Sequence, residues 1–120
     1  MVVECMGERS MSNLPMLYLT GSHYFGTQRP DSDVDIFAEA SAELVNILKV
    51  EGFVPEQVGG QYNTLATWRN QHGVHVQLVK NAPLKAKIQE VMLKLGLGEA
   101  LRDKVLATKV WTLMYEVAGV

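Results

Sequence analysis

Leu19-Thr20-Gly21-Ser22-His23-Tyr24-Phe25-Gly26-Thr27-Gln28-Arg29-Pro30-Asp31-Ser32-Asp33-Val34-Asp35-Ile36-Phe37 is the stretch on which the reading of this chain turns. It opens at the end of an apolar run, Leu14 to Thr20, which reads as a first strand and stops at the Gly21-Ser22 turn. It closes on Val34 to Ala38, where Val34-Asp35-Ile36-Phe37 alternates apolar and acidic residues as a second strand does. Asp33 and Asp35 are two apart, so on a strand both side chains leave the same face. Two carboxylates held that close repel, and a divalent cation relieves the repulsion. An all-oxygen pair suits Mg²⁺ or Mn²⁺, which commonly complete their shells with substrate phosphates. Two solvated aspartates on an edge strand give the same pattern, so the pair alone leaves both readings open.

Gly21-Ser22 tips the balance. A glycine after a strand permits close backbone approach, and the following amides with the Ser22 hydroxyl can cradle an anion. Gly26-Thr27 adds a second turn with a hydroxyl. Ten residues separate Ser22 from Asp33, so an anion-gripping turn lies just upstream of a metal-binding strand.

Outward from this stretch the chain reads as one unit without repeats or low-complexity tracts. Residues 1–13 lack periodicity and read as a loose N-terminal segment. Ser41 is an N-cap, followed by a helix with Leu44, Ile47 and Leu48 on one face, and Gly52 ends it. Phe53–Val58 reads as a third strand before the Gly59-Gly60 turn. Thr64–Arg69 and Val74–Val79 are two further strands joined across residues 70–73. Beyond Pro83 the period becomes helical, with Leu84, Ile88, Val91, Met92 and Leu95 recurring on one side. After the Gly96–Gly98 break, Leu101 to Val117 marks a last amphipathic helix. The expected fold is α+β, a mixed β-sheet with helices packed on one face.

With these elements in place, the Gly21-Ser22 turn and the Asp33-x-Asp35 strand resemble the signature of the DNA polymerase β-like nucleotidyltransferase superfamily. The closest likeness is to its short stand-alone domains of bacterial, archaeal and phage type. The signature occupies residues 21–35, and the strand–helix–strand order extends a looser likeness over roughly residues 14–80. The resemblance implies a minimal nucleotidyltransferase fold. It implies that Gly21 and Ser22 grip the triphosphate of an NTP while Asp33 and Asp35 bind Mg²⁺ (or Mn²⁺) and serve catalysis. The reaction it implies is in-line transfer of a nucleoside monophosphate to an acceptor, with release of pyrophosphate.

One element of the family pattern is missing. Its members supply a third carboxylate from a later strand, here Val74–Val79, whose site-facing residues are His75, Gln77 and Val79. His75 could ligate a metal and would tilt preference toward Mn²⁺ or Zn²⁺, and Gln77 could offer a carbonyl oxygen. Neither is an acid, so catalytic turnover and a degenerate, non-catalytic nucleotidyltransferase fold both stand as readings. Weaker candidates surround the site. His23 and Arg29 could touch phosphate, Lys80, Lys85 and Lys87 could form a basic wall, and Tyr62 and Trp68 could stack a base. Each has a plainer reading as a solvated or packing residue, and Trp111 and Tyr115 read as core or interface.

Composition bounds the rest. The 120 residues are 48% hydrophobic and 20% charged, an ordinary globular balance. A single cysteine, Cys5, excludes an intrachain disulfide and a Cys-rich zinc module and fits a reducing, cytoplasmic setting. No apolar stretch approaches the length of a membrane span. The formal net charge of −2 argues against a surface that coats nucleic acid, which leaves nucleic acid as an acceptor only. Acids dominate residues 1–43 and bases dominate residues 80–109, as two solvated faces or as a metal site facing a phosphate-holding wall. Little chain remains after residue 80 for an acceptor-binding domain. A protein partner or a second copy of the chain, through the apolar last helix, is therefore a further class of function.

Overall fold

The computed structural model describes residues 16–60 and 63–119. The N-terminal segment 1–13, Leu14 at the head of the first expected strand, and Tyr62 lie outside the described residues. Among the described residues, five strands form one mixed sheet: β1 (Tyr18–Thr20), β2 (Val34–Glu39), β3 (Val54–Val58), β4 (Thr64–Arg69) and β5 (Val74–Val79). Their spatial order is β1-β2-β5-β4-β3, and only the β2–β5 pair is parallel. The helices are α1 (Gly21–Phe25), α2 (Ala42–Val50), α3 (Ala82–Lys94) and α4 (Lys104–Val117), with a 3₁₀ turn at Glu99–Arg102. Among the described residues, no helix is long and apolar enough to cross a membrane.

Local chemistry accounts for most of the boundaries. The Ser41 hydroxyl accepts from the Leu44 N–H at 3.1 Å and starts α2 as a side-chain cap. Asn81 caps α3 in the same way, from the left-handed region at φ 64°. The Glu39 carboxylate adds two more acceptors there, 2.9 Å from the Asn81 N–H and 2.7 Å from the Ala82 N–H. That stitches the end of β2 to the start of α3. The Asn70 side chain accepts from the His72 and Val74 amides and closes the β4–β5 turn. Where the sequence suggests a plain turn at 21–25, the chain makes one helical turn. Gly26 ends it at φ 74° by donating its N–H to the Ser22 carbonyl.

One expectation is corrected. The helices do not all pack on one face of the sheet; they occupy both. Ala38, Trp68, Val76 and Leu78 point to one side and form a core with Leu44 and Leu48 of α2. Their strand neighbours Phe37 and Val79 point to the other side and meet Ala82 and Ala86 of α3. The reason lies in the connections. The parallel β2–β5 pair needs a crossover, and α2 covers one face within it, while the chain leaving β5 turns onto the opposite face. On that second side α4 packs against α3 and α1, through Phe25, Ile88, Met92 and Tyr115.

The α3 side of the sheet carries the residues of interest in two transverse rows. Strand register aligns Thr20, Asp35, His75 and Arg69 in one row, and Tyr18, Phe37, Gln77, Thr67 and Gln57 in the next. The first row is charged from β2 to β4. The second is aromatic at its β1 end and neutral-polar at its β3 end.

Candidate functional site

The first row brings together residues that lie 40 positions apart in sequence. Asp35 is directly opposite His75 in the parallel pair. The His75 Nε2 lies 3.4 Å from the Asp33 carboxylate, and its Nδ1 lies 3.9 Å from Asp35 and 3.6 Å from Glu56. Asp33 and Asp35 therefore address one imidazole from the same face, as their two-residue spacing predicts. Glu56 is the carboxylate that strand alternation on β5 could not reveal. It comes from β3, at the register shift between Pro55 and Gln57, and is also 3.8 Å from Arg69.

Each aspartate sits over a glycine. A Cβ at Gly21, whose φ is 70°, would lie 2.5 Å from Asp35 Oδ2, and one at Gly73 would lie 3.0 Å from Asp33 Oδ1. Both glycines are thus required twice, by a left-handed backbone and by the carboxylate above. Burial holds the Asp35 carboxyl above its ordinary range. The Asp33 charge adds to the rise, while His75, His23 and Lys85 oppose it. The nearby imidazole and cations do not offset what desolvation and like charge impose, which is the situation a bound cation relieves.

Asp35 lines a cavity of about 540 Å³, within the size range of small-molecule sites. Around it stand Gly21 and Ser22 of α1, Arg29 and Ser32 of the following loop, Gln77 and Lys85 from β5 and α3, and Arg102 and Trp111. Gly21 and Ser22 therefore share one cavity with Asp35, while Asp33 is not among its lining residues. Arg29, which reads more readily as a solvated loop residue, is exposed and also lines this wall. Ser32 is tied into the loop through the Arg29 N–H at 2.7 Å, and its carbonyl faces the His23 ring at 3.4 Å.

Lys85 departs most from its sequence reading. It is 7% exposed, not part of a solvated helix face, and its Nζ donates to Gln77 Oε1 at 3.0 Å. The ammonium lies over the Trp111 ring at 4.7 Å and the Phe37 ring at 5.2 Å. Desolvation pulls its pKa down to about 8 against the opposing field of Asp35. The signal was present in the sequence, because residue 85 falls on the Ala82–Ile88–Gln89–Met92 stripe that α3 buries. Gln77, considered for its carbonyl oxygen, has that oxygen engaged by Lys85. Trp68 packs in the α2 core on the far face and takes no part. Lys80 is exposed, and Lys87 pairs with Glu90 at 3.6 Å on the solvent side.

Among the described residues, no three His, Cys, Asp or Glu side chains are arranged to hold a metal ion by themselves. Asp33 and Asp35, left uncovered by two glycines, nonetheless fit Mg²⁺ or Mn²⁺, which take one or two carboxylates and complete their shell with water or substrate phosphate. Comparison with protein-family models, with curated proteins and with solved structures finds no match to this chain.

Proposed function

We propose that the chain is a nucleotidyltransferase-like protein that binds an NTP with a divalent metal ion and transfers a nucleoside monophosphate to an acceptor. The observation that carries this reading is the contact between the Gly21-Ser22 turn and the Asp35 carboxylate inside one cavity. A phosphate gripped at Ser22 is then beside Asp35, one of the two carboxylates that would hold its counter-cation. Arg29 and Arg102 on the cavity wall add cationic partners for a triphosphate. A divalent cation bound at Asp33 and Asp35 supplies charge neutralisation at the transferring phosphoryl group and lowers the pKa of an acceptor hydroxyl. The residues of the chain bind and orient: Ser22 donates to a phosphate oxygen, and the aspartates fix the cation.

Binding without efficient turnover is the second reading. What favours it is the composition of β5, where His75 and the Lys85-bound Gln77 stand in place of an acid. Calorimetric titration with ATP, GTP, CTP and UTP, each with Mg²⁺ and with Mn²⁺, tests both when paired with a pyrophosphate-release assay. Binding with pyrophosphate release supports transfer, and binding alone supports the second reading. No binding under any of these conditions removes both. Ser22→Ala is expected to weaken the NTP by about one to two decades, the worth of a charge-assisted hydrogen bond.

A further inference from the structure

The second cavity on the α3 side of the sheet is not used by any step above. It measures about 270 Å³ and shares Gln77, Lys85 and Trp111 with the larger one. The two are neighbouring compartments with a common wall, and their linings differ sharply. The larger has Asp35, Arg29, Arg102 and the Gly21-Ser22 turn. The smaller has Gln57, Thr64, Thr67 and Tyr115, with Lys85 its one charged lining residue among the described residues, and that residue belongs to the shared wall.

This neutrality is built into the sheet. Gln77, Thr67 and Gln57 are register partners on three successive strands, so their amide and hydroxyl groups form one transverse row across the floor. Amides and hydroxyls both donate and accept, which suits a ligand edge that alternates donors and acceptors without net charge. Because Lys85 donates to Gln77 Oε1, the groups Gln77 has for a ligand are its amide N–H donors. Trp111 of α4 supplies aromatic surface, with the buried Tyr115 ring packed behind it, their centroids 6.1 Å apart. An aromatic wall over a neutral hydrogen-bonding floor matches a flat heterocycle. The volume is too small for a whole nucleotide and is suited to a single ring system.

We infer that this second compartment is the nucleobase subsite, taking the heterocycle of the same NTP whose phosphates lie beside Gly21, Ser22 and Asp35. The inference rests on the proposed NTP reading and adds where the base goes and which residues read it. Gln57, Thr67 and Gln77 contact the base edge, and Lys85 stands at the seam between base and phosphates. A ring carried by the acceptor would suit the same lining, and the test separates the two.

The test is calorimetry on the full chain with Mg²⁺, comparing each of the four NTPs with inorganic tripolyphosphate, which carries the charge without a base. Wild type is expected to bind at least one NTP at least about tenfold more tightly than tripolyphosphate. Thr67→Val keeps the shape and strand preference of the side chain, and Gln57→Ala lies on an exposed strand, so neither disturbs the core. Each is expected to weaken that NTP by about 3- to 10-fold, the worth of a neutral hydrogen bond, and to leave tripolyphosphate unchanged. Equal NTP affinity in wild type and both variants overturns the inference and leaves the compartment to a ring carried by the acceptor. Equal binding of NTP and tripolyphosphate by wild type overturns the base subsite while sparing the phosphate site. Failure of wild type to bind either one overturns the NTP reading itself.

Discussion

Gly21→Ala should be far more damaging than the same change at a glycine with an equally unusual backbone, and the structure gives the size of the difference. Gly21 and Gly59 have φ of 70° and 81°, so an alanine at either pays the left-handed penalty of about 1–2 kcal/mol. Loss of unfolded-chain freedom returns about 0.4–1 kcal/mol in both cases. Gly59→Ala should therefore destabilise by about 1 kcal/mol, because a Cβ there meets nothing within 4 Å. At Gly21 the new Cβ would meet Asp35 Oδ2 at 2.5 Å and Asp35 Cβ and Cγ at 3.1 and 3.2 Å. Relieving that contact means moving a side chain or strand in a packed region, which adds about 1–3 kcal/mol. With a urea m-value of about 1–2 kcal/mol/M, the Gly21→Ala midpoint should fall about 1 M below that of Gly59→Ala. Combining Gly21→Ala with Asp35→Ala removes the two nearest carboxylate atoms and should recover about 1 kcal/mol as a coupling energy. Equal midpoints for the two glycine variants, or additive behaviour in the double variant, would refute the assignment of Gly21 to the carboxylate above it.

Replacing Asp33 and Asp35 together by Asn should abolish Mg²⁺- or Mn²⁺-dependent nucleotide binding in calorimetry. Urea stability without metal should hold or rise, because burial and like charge already disfavour the Asp35 carboxylate. The Lys85 amine has its pKa held down to about 8 by burial, so the folded state releases that proton before the unfolded chain does. Stability should therefore climb as pH passes upward through 8, by about 3 kcal/mol over the full window. Urea midpoints at pH 7 and 9.5 should show that climb in wild type but not in Lys85→Met, and a wild type that runs parallel to the variant would contradict it. His75→Asp restores an acid opposite Asp35, and Mg²⁺ titration should show tighter binding, while metal-free stability drops because Asp33, Asp35 and Glu56 all lie close by.

The parts of the fold that the sequence foretold are those set by neighbours along the chain. Ser41 as a cap, the β4 and β5 boundaries, and the shared face of Asp33 and Asp35 all follow from spacings of two to four residues. What escaped was decided across the chain. That α3 and α2 lie on opposite faces depends on which way the connections turn, and no local pattern encodes it. Glu56 reaches His75 only because β3 is the outer strand beyond β4 and shifts register at that point. A lysine within an amphipathic helix is usually solvated, and that expectation fails at Lys85. Here the buried stripe of α3 runs through residue 85, and Gln77 and Trp111 receive the charge. Gly21 was legible as a phosphate-approach glycine, but its second role, clearing room for Asp35, requires the β1–β2 pairing.

The parallel pairing of β2 with β5 has a consequence for the order in which the molecule assembles. β3, β4 and β5 are an antiparallel meander joined by short turns, so their contacts are local and close early. β2 pairs with β5 across a connection that runs through α2, β3 and β4, and β1 with α1 pairs only with β2. Asp35 and the Gly21-Ser22 turn thus meet His75 only across that long connection, whose closure costs the most chain entropy. A partly folded chain can hold most of its sheet and none of its site.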